Sequence, residues 1–315
     1  DYYEGAIKYA SDRFLSGNSN SDRIEFNFGG PDLFFQTIPG VFGADLPGRF
    51  SFFLNGYGKM YDGNLPIASK LYPHRYWSSN FISDEKSDKL MDRLASRENN
   101  DWHLLYKMTW ELTPQKKLFI SYDASMNINQ GYYMPRAFAS TYFPYQYMNI
   151  LDNYNTITRD TRLINMNWTH TLSPKSFYEF TLGKFSTMEH SAVQDLPWTD
   201  YQERLDLEPI NYNIDNTDQD GNIQITYGDE FYDTGFAPEW YDLSSENTRM
   251  DIDWTYHTET RHKLKTGFEH TITDIQVLDI DEPWSGSSGF GANYDSYNAK
   301  TYFGAFYFQD RIIFE

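Results

Sequence analysis

Strict alternation of apolar and polar residues, broken by very short polar turns at one end and by long polar segments at the other, governs most of this chain. From Leu104, one face carries Tyr106, Met108, Trp110 and Leu112, and the other carries Lys107, Thr109 and Glu111. A turn at Thr113, Pro114, Gln115 and Lys116 follows, and the chain returns with Leu118, Ile120, Tyr122, Ala124, Met126 and Ile128 on one face. A period of two means extended strands, because successive side chains of a strand point to opposite sides. The unit recurs with Ile164, Met166 and Trp168, a turn at Ser173 and Pro174, then Tyr178, Phe180 and Leu182. It recurs again with Met250, Ile252, Trp254 and Tyr256, a polar turn from Thr258 to His262, then Leu264, Thr266 and Phe268. Tyr302 to Ile312 is half of a further copy.

The chain has 315 residues, 40% of them hydrophobic and 18% aromatic, enough apolar material to exclude wholesale disorder. No apolar run approaches the roughly 18 residues of a spanning helix. A mean hydropathy of -0.67 suggests a water-soluble protein, but alternating strands hide their apolar half in such an average. Cysteine is absent, which removes disulfides and thiol catalysis.

Alternation alone fits a soluble sandwich or a lipocalin-like barrel as well as a membrane barrel. Three features favour the membrane. The strands run to ten residues or more, matching the roughly 9 to 11 of a tilted spanning strand. The connections are asymmetric, short at one end and about 20 to 50 residues at the other, as in outer-membrane barrels. Trp102, Tyr132, Tyr133, Trp168, Tyr178, Trp254 and Tyr256 gather near strand ends, where an interfacial girdle sits. The expected fold is therefore all-β: a fragment of a larger antiparallel transmembrane β-barrel, with about nine strands. Toward the amino terminus, strands are expected at Arg23 to Phe28, ended by Gly29, Gly30 and Pro31, and at Arg49 to Gly58. Pro66 to Asn100 reads as an extracellular loop with helical character near Lys86 to Arg97, or as a small helix on a soluble domain.

Charge separates along the same pattern. Asp195 to Glu246 holds fourteen acidic residues against one basic residue, Arg204, and Leu278 to Asn298 holds four acidic and no basic ones. Those stretches account for nearly all of the net charge of -19, while the short turns lean basic. A nucleic-acid partner would want the opposite balance.

Catalytic patterns are poor, and no enzymatic role is expected. The seven histidines are scattered without HExxH spacing, and His257 and His262 flank a turn. Ser285 to Gly291 lacks the strand-turn-helix setting of a nucleophile elbow. One loop places hard oxygen donors at alternate positions before Gly221, with Asn216, Asp218 and Asp220 as candidate Ca²⁺ ligands. An EF-hand loop begun at Asn216 needs Glu at its twelfth position and meets Tyr227, so a solvated polar turn is the competing interpretation. No other cofactor is expected.

The run Phe26, Asn27, Phe28, Gly29, Gly30, Pro31, with Arg49, Phe50, Ser51, Phe52, Phe53, Leu54, Asn55, Gly56 and then Asp62, Gly63, Leu65, Pro66, resembles the early barrel region of TonB-dependent outer-membrane receptors. It is closest in character to the Bacteroidetes type whose precursors begin with a carboxypeptidase-regulatory-like domain. Tyr302 to Ile312 is similar to a strand these receptors carry before a periplasmic turn. The resemblance implies a barrel of about 22 strands around a plug domain, in the cell outer membrane, energised by TonB and importing a scarce siderophore, metal chelate, glycan or peptide. It further implies that residues 1–315 are part of one such barrel domain, with the plug, the TonB-contacting region and the last strands outside them. In that setting Trp198, Tyr201, Tyr232, Trp240, Tyr241 and Trp284 are candidate ligand-binding aromatics, unless they serve to pack the loops together. A non-transporting barrel, porin-like or adhesive, is the alternative.

Overall fold

A computed structural model describes residues 2–12, 21–31, 46–61, 99–130, 147, 150, 153–206, 211–217, 223–226, 232–258, 261–287 and 289–312. The chain is all-β and antiparallel. Ten strands form one sheet: β1 (Glu4–Ser11), β2 (Asp22–Pro31), β3 (Arg49–Tyr61), β4 (Asn99–Thr113), β5 (Lys116–Gln130), β6 (Thr156–Ser173), β7 (Ser176–Ala192), β10 (Glu239–His257), β11 (His262–Asp281) and β12 (Asn293–Ile312). A separate hairpin, β8 (Asn211–Thr217) with β9 (Ile223–Thr226), lies between β7 and β10 in sequence. Each strand of the large sheet pairs with its neighbour in chain order, β7 pairing directly with β10. The sheet is open, with β1 and β12 at its edges.

The alternation found in sequence becomes two chemically distinct faces that persist across all ten strands. Cross-strand partners share a face, so the row Phe50, Trp110, Leu118, Trp168, Phe180, Ile252, Phe268, Phe306 runs along one side from β3 to β12. Much of this face is uncovered, with Ile7, Ile252, Phe306 and Phe308 80%, 41%, 83% and 71% exposed, whereas Phe50, Met60, Met108 and Ile128 on β3 to β5 are buried. The opposite face is mainly polar and cross-linked, although Phe53, Leu163, Phe185 and Phe303 also lie on it. Arg159 grips Glu189 at 2.6 and 2.8 Å, His103 meets Asp123 at 3.1 Å, and Lys265 reaches Asp253 at 3.1 Å.

The apolar band has two edges. Toward the short turns it ends in aromatic rings with anchored polar tips. Trp110 Nε1 donates to Pro47 O at 2.9 Å, Trp254 Nε1 to Ser176 Oγ at 2.9 Å and Trp168 Nε1 to the Tyr178 hydroxyl at 3.3 Å. Toward the long connections it ends in the row Arg162, Ser186, Glu246, Asp274, Lys300, with Lys184 bonded to Glu246 at 2.9 Å and Lys300 to Asp274 at 3.2 Å. On β12, residues 301–309 lie between Lys300 and Asp310, about the length that crosses a hydrocarbon core. The same cross-strand row that is charged here carries Ala124, Leu104, Phe26 and Ile7 on β5, β4, β2 and β1. The next row up, with Met126, Trp102, Ile24 and Tyr9, is apolar there too. The band thus climbs by about 13 Å toward β1, so the strands cross it obliquely.

Two of the turns are built alike. Thr113 Oγ1 accepts from Gln115 N–H, and Ser173 Oγ from Lys175 N–H, each at 3.3 Å across an intervening proline. Gln115 O then accepts from Thr171 N–H of β6 at 2.8 Å, and Lys175 O from His257 N–H of β10 at 2.7 Å.

Several expectations are revised. Gly29, Gly30 and Pro31 do not end β2, which continues through all three, paired with Phe53, Phe52 and Ser51. Glycine weakens a strand without ending it, and Pro31 lies beyond the last β2 residue paired with β1, where the sheet has an open edge. β1 and the β8–β9 hairpin were not anticipated, because Glu4–Ser11 and Asn211–Thr217 are too short and too weakly patterned to stand out. The ten strands of the sheet agree with the count of about nine expected. Connection lengths are less asymmetric than expected, since residues 32–48 join β2 to β3 at the short-turn end. The loop from Pro66 to Asn100, with its expected helix near Lys86 to Arg97, lies outside the described residues except for Asn99 and Asn100, which begin β4. Tyr132 and Tyr133 also lie outside them.

Candidate functional site

The long connections fold into a cap with its own hydrophobic core. β7, β10 and β11 run well past the charged row, and their ends bring together Ala192, Trp240, Ile280 and Leu278. Val193, Tyr201 and Ala237 from the connections close over them, as does Tyr147. Trp240 is 7% exposed and Ile280 fully buried. By strand parity Trp240, Ile280, Ala192 and Leu278 belong to the apolar-band face. The cap therefore lies over the outer continuation of that face, beyond the charged row, and leaves the band itself bare.

Five of the six candidate aromatics belong to this cap. Trp198, on a 3₁₀ turn (Trp198–Asp200), packs edge-on against Trp240 at 4.9 Å and stacks on Phe290 at 6.1 Å. Its indole N–H donates to Gly289 O, and that of Trp240 donates to Leu196 O, both at 3.2 Å. Tyr201 receives the Val193 N–H on its hydroxyl at 2.6 Å and meets Phe236 at 5.6 Å. Burial pushes the Tyr201 phenol well above its ordinary value. Tyr232 packs on Tyr147 at 5.1 Å, and the Arg204 guanidinium sits 5.3 Å from the Tyr232 ring and 5.9 Å from that of Trp284. Arg204 also donates to the Tyr147 hydroxyl at 3.3 Å. Tyr201 and Trp240 are buried in this cluster, and Trp198, Tyr232 and Trp284 are partly buried against it.

Tyr241 is placed differently. One residue on from Trp240 along β10, it points to the polar face, in a row with Ser191, Asp279 and Asp295. Desolvation, with Glu189, Asp279 and Asp242 nearby, raises its phenol above the ordinary value, and Arg159 opposes this. Of the calcium candidates, Asn216 lies on β8, while Asp218 and Asp220 fall outside the described residues. Among the described residues no group of three or more His, Asp or Glu side chains is placed to hold a metal ion.

Sequence reasoning passed over Arg204, Tyr147 and Asn155. Arg204 carried a signal, being the one cation in a long acidic stretch. A cation kept in such company has a partner, here two aromatic faces. Asn155 carried none. Its side-chain N–H groups hold Glu239 O at 2.8 Å and Ser191 Oγ at 3.2 Å, joining β6, β7 and β10. Tyr154 beside it is raised to about 12 by burial first, then by Glu239 and Tyr147.

Among the described residues no helix is long and apolar enough to cross a membrane, which says nothing about strands. No family model matches the chain, and no curated protein or solved structure matches it either.

Proposed function

We propose that this chain forms part of the wall of an outer-membrane β-barrel, and that the barrel is a TonB-dependent receptor importing a scarce ligand. The observation that carries the membrane part is the bare apolar face. It runs across the sheet from anchored Trp and Tyr rings and is bounded on β6 to β12 by a row of charges. A water-soluble protein rarely exposes a contiguous apolar patch beyond a few hundred Å². Lipid is the solvent that makes such a face stable, while the polar face turns to a water-filled interior. Oblique passage of the strands through the band supports the same reading, since barrel strands tilt. The receptor part rests on the resemblance of the early strands. β2 and β3, which carry it, lie side by side, with Phe28 opposite Leu54 and Asn27 opposite Asn55.

The absence of native cysteine makes the membrane part directly testable. Single cysteines at Ile252 and Phe306 are expected to resist a water-soluble maleimide in intact membranes. Cysteines at Thr181 and Thr273, on the polar face, are expected to react. Equal reaction on both faces would sink the membrane reading. In vivo cross-linking of the gene product to TonB tests the receptor part, and its failure leaves a passive or surface-binding barrel.

A further inference from the structure

Glycine weakens a strand, so a glycine kept inside one has a use. In this sheet the use is to seat a ring. Gly5 lies directly opposite Phe28, Gly29 opposite Phe53, Gly56 opposite Phe26, Gly58 opposite Trp102 and Gly267 opposite Tyr307. A Cβ at any of these positions would come within 2.6 to 3.4 Å of the facing ring, which fills the space the glycine leaves. Tyr307 shows the arrangement in full. Its ring reaches across Gly267, and its hydroxyl donates to Asp253, the residue that pairs with Gly267 from the other side.

Gly183, in the middle of β7, departs from this pattern. Its register partners are Asn165 on β6 and Arg249 on β10, neither of them a ring. A Cβ there would meet nothing nearer than Asn165 Oδ1 at 3.5 Å, and its backbone is not left-handed. Neither space nor dihedral angle therefore requires glycine. Gly304 has similar room, but His270 lies opposite it and its strand is at the sheet edge. Gly183 opens a notch in the polar face with strands on both sides. Toward the cap it is walled by Phe185, paired with Leu163, the two being 42% and 39% exposed. Phe53 on the same face is already spent on covering Gly29. Among the described residues nothing hydrogen-bonds the Asn165 side chain, whereas Asn167 donates to Thr181 at 2.9 Å and Arg249 is shared by Asp251 and Glu269.

We propose that the Gly183 notch is a binding site for a small phenol, seated as Tyr307 is seated on Gly267. The ring lies over the Gly183 backbone and against Phe185, and its hydroxyl donates to Asn165 Oδ1. The three walls select this chemistry together. An aliphatic body would use Phe185 and leave the amide unmet, and an anion would find Arg249 already held by two carboxylates. The site is separate from the cap and its aromatics. It rests on the membrane reading only in that the polar face is then open to water.

The test uses the full chain in lipid nanodiscs, with para-fluorophenol as the probe and para-fluoroanisole, which cannot donate, as its counterpart. Fluorine NMR reads both, with empty nanodiscs as the baseline. The phenol is expected to bind at least tenfold more tightly than the anisole. Gly183→Val should weaken phenol binding at least tenfold without lowering the melting temperature, because valine suits a strand and finds open space there. Asn165→Ala should weaken it severalfold, and Thr273→Ala, elsewhere on the face, should leave it unchanged. Equal binding of the two probes, or no binding above the baseline at millimolar concentration, overturns the proposal. So does wild-type affinity in Gly183→Val, or a fall in that variant's melting temperature, which would assign the glycine to the fold. Cysteine labelling reports the membrane reading independently. A chain with a protected apolar face that ignores para-fluorophenol refutes only the site.

Discussion

The two apolar regions of this molecule follow opposite rules. The cap buries Trp240, Tyr201 and Ile280 among tightly bonded connections, as a water-soluble domain does. About a dozen residues further along β10, Ile252 is 41% exposed, and on β12 Phe306 is 83% exposed. On the proposed membrane reading one sheet face serves two solvents, and the change occurs at the row from Arg162 to Lys300. The cap is held by its own packing, whereas the band depends on what surrounds it.

That contrast can be broken most sharply in the band. Ile252→Arg places a charge at its middle and should cost roughly 2 to 4 kcal/mol of folding stability in lipid, measured by urea titration in vesicles. Thr181→Arg, on the polar face, should cost far less, and comparable losses would end the distinction. Within the cap, Trp240→Ala should cost about 3 to 5 kcal/mol. Hydrogen exchange should localise that loss to residues 192–206 and 232–241, with band amides unaffected. Exchange spreading into the band would mean that the two regions are one cooperative unit.

Smaller effects sharpen the picture. Arg204→Gln removes a guanidinium between two rings and a donor to Tyr147, a loss of about 1 to 2 kcal/mol, visible as earlier proteolysis of the connections. Arg204→Lys should recover only part of it, because an ammonium lacks the planar stacking face. The smallest effect concerns Glu239. Its carboxyl is raised in the fold, so its contribution to stability is present below its ordinary pKa and is lost as pH rises through the raised value. The cap should therefore be slightly firmer under mild acid. Glu239→Gln should flatten that dependence and stabilise by less than about 1 kcal/mol at neutral pH, because solvent screens this carboxylate. A melting profile of the variant that keeps the wild-type pH dependence would assign it elsewhere.

The strands of the band were legible because period-two alternation is local. Leu104 to Leu112 and Met250 to Tyr256 state their own geometry, and the short turns fix which strands are neighbours. The cap was not legible, since Trp198 meets Phe290 across most of a hundred residues, a contact without local signature. Trp240 and Tyr241 show where composition fails altogether. Adjacent aromatics of similar chemistry, they face opposite sides of β10, and only the register separates packing in the cap from a place on the polar face. The weak strands at either end of the scale, β1 and β8, escaped for want of length.

The matched turns at Thr113–Lys116 and Ser173–Ser176 reach further than their local geometry. Each closes its own hairpin through a hydroxyl and offers the carbonyl of its third residue to the strand that begins or ends the next one. A hairpin with such a turn is thus a standard part, carrying both its closure and its connector. Walls made of standard parts can lengthen by duplication without redesigning a seam, whereas the cap, with its unique contacts, must be reinvented each time. Exchanging residues 113–116 for 173–176 should leave the sheet unaltered.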